Sequence, residues 1–172
     1  KRKLHTIHLG DVGNNLLDYI KNFLKQETKK KYGDKGIPYK TNILLEGLPG
    51  TGKTSLIFAI ASELGLNIAY INFNNKMDDN AFMISIRKLP KKCIVVLEDI
   101  DALFKARKEN DEYKNSITFS ALLNTLDGLG SKQGQIVFMT TNYECNLDSA
   151  LKRPGRIDKC INFTYAKKEQ IQ

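Results

Sequence analysis

Leu16, Leu17, Ile20, Phe23 and Leu24 recur at helical spacing and predict an amphipathic helix from Asn15 to about Glu27, with Asn14 or Asn15 as its cap. Gly33, Gly36 and Pro38 then break the regularity. The short run Ile43-Leu44-Leu45 has the length and flanking turn residues of a buried strand, and from there strand and helix alternate. Ser55 to Leu64 reads as helix, Ile68 to Phe73 as strand, Ala81 to Arg87 as helix, and Cys93 to Leu97 as a continuous apolar strand. Phe119 to Leu126 is helical and ends at Gly128, and Ile136 to Met139 is a further apolar strand. A strand loses its polar face only when both faces are covered, so these runs predict a parallel sheet between layers of helix. The fold class is α/β, and 172 residues make one domain, residues 1–172, able to bury a core without disulfides.

The first strand runs into Gly47-Leu48-Pro49-Gly50-Thr51-Gly52-Lys53-Thr54, with Ser55 opening the predicted helix. This is G-x-x-x-x-G-K-[ST] between a strand and a helix, the setting a phosphate-binding loop requires. Its glycines let backbone N–H groups curl inward, closer to phosphate than a Cβ would allow. Lys53 supplies a positive charge for the β and γ phosphates, and the helix N-terminus adds its partial charge at the same place. The Thr54 hydroxyl suits a magnesium ion. The expected ligands of residues 47–55 are therefore ATP or ADP with Mg2+.

The strand Ile94-Val95-Val96-Leu97 ends in Glu98-Asp99-Ile100-Asp101, which places carboxylates at the edge of the sheet where the loop lies. Glu98 is expected to hold magnesium through water, and Asp99 to orient the attacking water as base. Ile136 to Met139 leads into Thr140-Thr141-Asn142, whose terminal amide can donate to one group and accept from another near a γ phosphate. Farther on, Arg153-Pro154-Gly155-Arg156 sets two permanently charged forks around a turn, the form of a finger for a transferring phosphoryl group.

Composition narrows the classes. With 41% hydrophobic and 27% charged residues the chain is ordinary for a globular domain, and no apolar run reaches the roughly 18 residues of a membrane helix. No membrane contact is expected through this segment. Cys93, Cys145 and Cys160 lie far apart without metal-ligand spacing, and read as thiols in a reducing, intracellular compartment. His5 and His8 have no further ligand near them in sequence, so no metal site or metal cluster is expected. The formal charge of +8 comes from scattered lysines with short clusters at Lys1 to Lys3, Lys29 to Lys31 and Lys91-Lys92, which read as solvated faces. Nucleic acid is thus not the expected partner.

The segments GLPGTGKT, IVVLEDIDALF and TTNYECNLDSALKRPGRID resemble the Walker A, Walker B and second region of homology of the AAA ATPases. The order Glu98-Asp99, inverted from the usual aspartate then glutamate, Gly36-Ile37-Pro38-Tyr39 before the loop, and Thr118 to Gly128 resemble, more narrowly, the Bcs1-type ATPases. The likeness runs from about Leu4 to Tyr165. It implies the large subdomain of an AAA+ P-loop NTPase, with a five-stranded parallel sheet in the order 5-1-4-3-2. It also implies an adenine pocket near Gly36, Ile37 and Pro38, and Arg153 and Arg156 reaching into a neighbouring subunit's site. For the full-length protein it implies a homo-oligomeric ring, hexamer or heptamer, that hydrolyses ATP to move or remodel a protein client. In mitochondrial Bcs1 that ring is a heptamer moving a folded iron-sulfur protein across the inner membrane. A place at the mitochondrial inner membrane follows from the likeness, with cytoplasm and nucleus left open. The small helical subdomain of the class is expected to be absent from this chain. Asn74-Asn75-Lys76-Met77-Asp78 lacks the aromatic, apolar and glycine pattern with which many unfolding rings grip a peptide, which argues against a processive unfoldase. Two other readings stay open. One is a nucleotide-gated assembly module with little turnover, to which the inverted acids point; the other is a nucleic-acid-associated AAA+ motor, which a steep salt dependence of DNA binding would reveal.

Overall fold

Strands buried on both faces build this fold from its middle outwards. The computed structural model describes residues 11–71, 78–90, 92–101, 117–127, 133–142, 150–151, 153 and 155–164. In chain order the elements are α1 (Asp11–Phe23), α2 (Gln26–Asp34), β1 (Lys40–Gly47), α3 (Lys53–Leu64), β2 (Asn67–Ile71), α4 (Asp79–Lys88), β3 (Cys93–Leu97), α5 (Phe119–Leu126), β4 (Gln135–Thr141) and β5 (Lys159–Phe163). The strands form one sheet in the order β2-β3-β4-β1-β5, with every neighbouring pair parallel. This is the order 5-1-4-3-2 read from the other edge.

Successive strand residues face opposite sides of the sheet, so the apolar runs feed two cores. Ile43 and Leu45 of β1 join Ile94, Val96, Ile136 and Phe138 against Leu16 and Ile20 of α1 and Leu56 and Ile60 of α3. Leu44 joins Val95, Leu97, Val137 and Met139 on the other side, against Phe82 and Ile86 of α4 and Leu122 and Leu126 of α5. The central strands β1, β3 and β4 are buried nearly throughout, which is why they read as continuous apolar runs, whereas β2 and β5 at the edges are half covered. Because all strands run the same way, Gly47, Leu97 and Thr141 end at one edge of the sheet, and the segments that follow them converge there.

The first predicted helix divides in two. Lys25 adopts extended dihedrals (φ −66°, ψ 143°) between α1 and α2, and Thr28 Oγ1 donates to the Asn22 carbonyl across the break at 2.7 Å. None of the α2 residues is buried, so no apolar period marks it in the sequence. Asn72 to Met77, most of the segment read as lacking a peptide grip, lies outside the described residues, as do His5, His8, Gly128 and Cys145.

Candidate active site

The loop from Gly47 to Thr54 joins the carboxyl end of β1 to the start of α3. Gly47 has φ of +140°, and an added Cβ would collide with the carbonyl of Phe163 on β5, so only glycine lets these strands lie side by side at the loop's root. Gly52 caps α3 in a left-handed conformation (φ +94°), and no side chain caps this helix end. The backbone N–H groups of the first helical turn therefore point towards the loop's concavity, where an anion is favoured. Lys53 is buried, and its Nζ donates to the Gly47 carbonyl at 2.6 Å, the Leu48 carbonyl at 2.9 Å and Asn142 Oδ1 at 3.0 Å. Burial holds the Lys53 pKa below its ordinary value, with Asp99 and Asp101 pulling it the other way.

Glu98, Asp99 and Asn142 arrive from the ends of β3 and β4. Thr54 Oγ1 donates to Glu98 Oε1 at 2.8 Å, and Asn142 Nδ2 donates to Asp99 Oδ1 at 3.1 Å. Asn142 thus links the loop lysine on one side to the second acid on the other. Pro49, Gly50, Thr51, Gly52, Lys53, Thr54, Ser55, Glu98, Asp99, Thr140 and Asn142 line one open cleft of about 370 Å³. Gly47 and Leu48 enter through their carbonyls, which receive Lys53.

Other residues singled out in the sequence lie elsewhere. Gly36, Ile37 and Pro38 precede β1, and eight strand residues, about 25 Å at 3.3 Å each, separate them from the loop. None of the three lines the cleft. The arginine turn sits at that same far edge. Asn42 N donates to Asp158 Oδ2 at 2.8 Å, Asp158 N to the Asn42 carbonyl at 2.9 Å, and Lys40 Nζ to the Gly155 carbonyl at 3.0 Å. Arg156 is held within its own chain: Nε and Nη2 each donate to a carboxylate oxygen of Asp127 at 2.8 Å, and Nη1 donates to the Ala150 carbonyl at 2.9 Å. Arg153 is exposed, and its side chain makes no hydrogen bond or ion pair among the described residues. Neither arginine reaches the cleft of its own chain.

A sequence profile of the ATPase family associated with various cellular activities (AAA) matches residues 43–165, from the first buried strand to beyond β5. The chain belongs to the AAA family of ATPases. Over 178 aligned residues it is 43% identical to the probable mitochondrial chaperone BCS1-A of Dictyostelium discoideum, covering 98% of this chain and 42% of that protein. It is 40% identical over 167 residues to mitochondrial chaperone BCS1 of Danio rerio, covering 92% of this chain and 39% of the relative. With the human mitochondrial chaperone BCS1 it shares 43% identity over 139 residues, 77% of this chain and 33% of the other. The chain therefore spans about two fifths or less of the length of these relatives.

An AAA domain binds nucleotide, and the oxygen donors of this cleft fit the magnesium that accompanies it. The Thr54 hydroxyl and the Glu98 carboxylate already lie within hydrogen-bond distance, and hard oxygen ligands of this kind suit Mg2+. Two neighbours of the site escaped sequence reading. Tyr70 of β2 has its phenol pKa raised to about 12, by burial first and by the nearby Glu98 second, and its ring lies 5.8 Å from that of Phe58 on α3. Thr140 lines the cleft and bonds the backbone of the acidic segment. The one signal for Thr140 in the sequence is the switch from apolar to polar at the end of β4.

Proposed function

We propose that this chain is the ATP-hydrolysing domain of a Bcs1-like AAA chaperone or translocase that works as a homo-oligomeric ring on a protein client. The observation that carries the reading is the bonded series Lys53, Asn142 and Asp99 in one cleft, beside the Thr54–Glu98 pair. Lys53 exchanges its loop carbonyls for β and γ phosphate oxygens, and the uncapped start of α3 offers backbone donors to the same phosphates. Thr54 and Glu98 would hold Mg2+, which when bound neutralises charge on the β and γ oxygens. Asp99 accepts a proton from the attacking water, and Asn142 orients both that water and the γ phosphate. Asn142 suits this double task because its amide has one donor and one acceptor end, here engaged by Asp99 and by Lys53.

Charge developing on the transferring phosphoryl group needs a further cation from outside the chain. Among the described residues the Arg153 guanidinium makes no hydrogen bond or ion pair, and a second subunit would bring it from the far edge of the sheet to this cleft. Arg156, with all three nitrogens engaged on Asp127 and Ala150, holds the turn that presents Arg153. The names of the relatives, mitochondrial chaperones, support a mitochondrial place and a protein client for the whole protein. Among the described residues no helix is long and apolar enough to cross a membrane.

ATP hydrolysis per subunit, measured with magnesium across a hundredfold range of protein concentration, tests the proposal. The specific rate is expected to climb as subunits meet. A rate that is substantial and independent of concentration would mean that each chain completes its own site.

A further inference from the structure

Asp99 is the one described residue other than glycine with positive φ, at +51°. The left-handed region costs most L-residues about 1–2 kcal/mol, and aspartate and asparagine tolerate it best because their short polar side chains bond locally. Something must hold the chain there. Thr140, next to last in β4 and buried, does so with two bonds: its Oγ1 accepts from Asp99 N at 3.1 Å, and its carbonyl accepts from Ile100 N at 3.0 Å. The β3–β4 pairing ends at Leu97 and Met139, so these bonds carry the contact between the two chains one step beyond the ladder, at the point where the acidic segment turns away.

We infer that Thr140 is the positioning residue for Asp99, fixing the left-handed turn that aims the Asp99 carboxylate at Asn142. This rests on the reading of the cleft as a site of ATP hydrolysis. The turn also gives a physical reason for the order of the two acids. Glu98 stands before it and uses its longer side chain to reach the Thr54 hydroxyl. Asp99 stands in it, where a short side chain is favoured and already meets Asn142. Thr140 lines the cleft, but its two bonds go to the backbone of the acidic segment, so its loss should leave nucleotide binding in place and slow the chemical step.

Thr140→Val keeps the shape of the buried side chain and deletes the acceptor, whereas Thr140→Ser keeps the acceptor. In the ring-forming protein, single-turnover hydrolysis and Mg·ADP affinity are measured for both variants, with thermal unfolding as a check on folding. Thr140→Val should hydrolyse about tenfold more slowly with affinity within about twofold of the parent, as for the loss of one hydrogen bond, and Thr140→Ser should hydrolyse near the parent rate. Parent-like hydrolysis by Thr140→Val, or equal losses in both variants, overturns the inference. Hydrogen exchange at the Asp99 amide reads the same contact without turnover. Faster exchange in Thr140→Val supports the inference, and unchanged exchange contradicts it. A parent protein that binds nucleotide and never hydrolyses it would instead sink the proposed function, leaving the exchange experiment to decide the role of Thr140.

Discussion

At the scale of single residues, the site depends on a lysine kept charged in a buried place. Lys53→Ala removes the charge and all three of its bonds, and is expected to abolish nucleotide binding measured by fluorescence titration. Its lowered pKa gives the pH dependence a direction. Affinity should be flat on the acid side and decline, as pH rises, before the 10.5 of an ordinary lysine, because the ammonium form that phosphate requires is lost early. Asp99→Asn should retain ATP while slowing hydrolysis by at least about a hundredfold, the usual contribution of a general base; equal turnover would move the base elsewhere. Glu46 is a residue the mechanism does not use. It is 4% exposed in β1, and its Oε1 has no hydrogen-bond partner. Glu46→Leu should therefore leave stability equal or raise it by about 1 kcal/mol in urea denaturation, since an unsatisfied buried group is removed. Lys53, Thr54 and the paired acids were legible because their meaning lies in short spacings. Thr140 was not, since its bond to Asp99 spans 41 positions and leaves no local pattern.

At the scale of elements, the pattern found what was apolar and missed what was not. The limits Cys93–Leu97 and Phe119–Leu126 were read directly because these segments feed the core. The α2 helix buries nothing and β5 is a half-covered edge, so periodicity marks neither; β5 entered only through family likeness. The loop between β1 and α3 was legible in chemistry, but the reason for its first glycine lies in a strand more than a hundred residues away. Gly47→Ala should destabilise the fold by about 2–4 kcal/mol, because β5 must shift to admit the methyl group; calorimetry would read this as a lower unfolding temperature. The arginine turn can be tested through its anchor. The Arg156 hydrogen bond, ahead of its charge, holds the Asp127 pKa below the usual 3.8. The stabilisation is therefore present above that value and lost as pH falls through the lower folded-state pKa. Asp127 is 36% exposed, so solvent screening leaves the pair worth under about 1 kcal/mol. The stability difference between the parent and Arg156→Ala should shrink as pH falls below 3.8; a difference that persists unchanged there would assign it to packing.

At the scale of the whole molecule, one sheet separates two chemistries. Its carboxyl edge carries the cleft with Lys53, Glu98, Asp99 and Asn142, and its opposite edge presents Arg153. On the proposed reading these are two halves of one site on opposite edges, an arrangement suited to head-to-tail association in which each subunit would complete its neighbour. The sequence implied this arrangement through family likeness, while the separation of the two edges is visible only in three dimensions. The most direct test mixes two inactive variants. Asp99→Asn keeps the arginine and loses the base; Arg153→Ala keeps the base and loses the arginine. An equal mixture should recover about a quarter of the parent activity, since random head-to-tail assembly pairs an intact cleft with an intact neighbour at about one interface in four. Mixed rings that assemble and stay as inactive as each variant alone would contradict completion of the site by a neighbouring subunit.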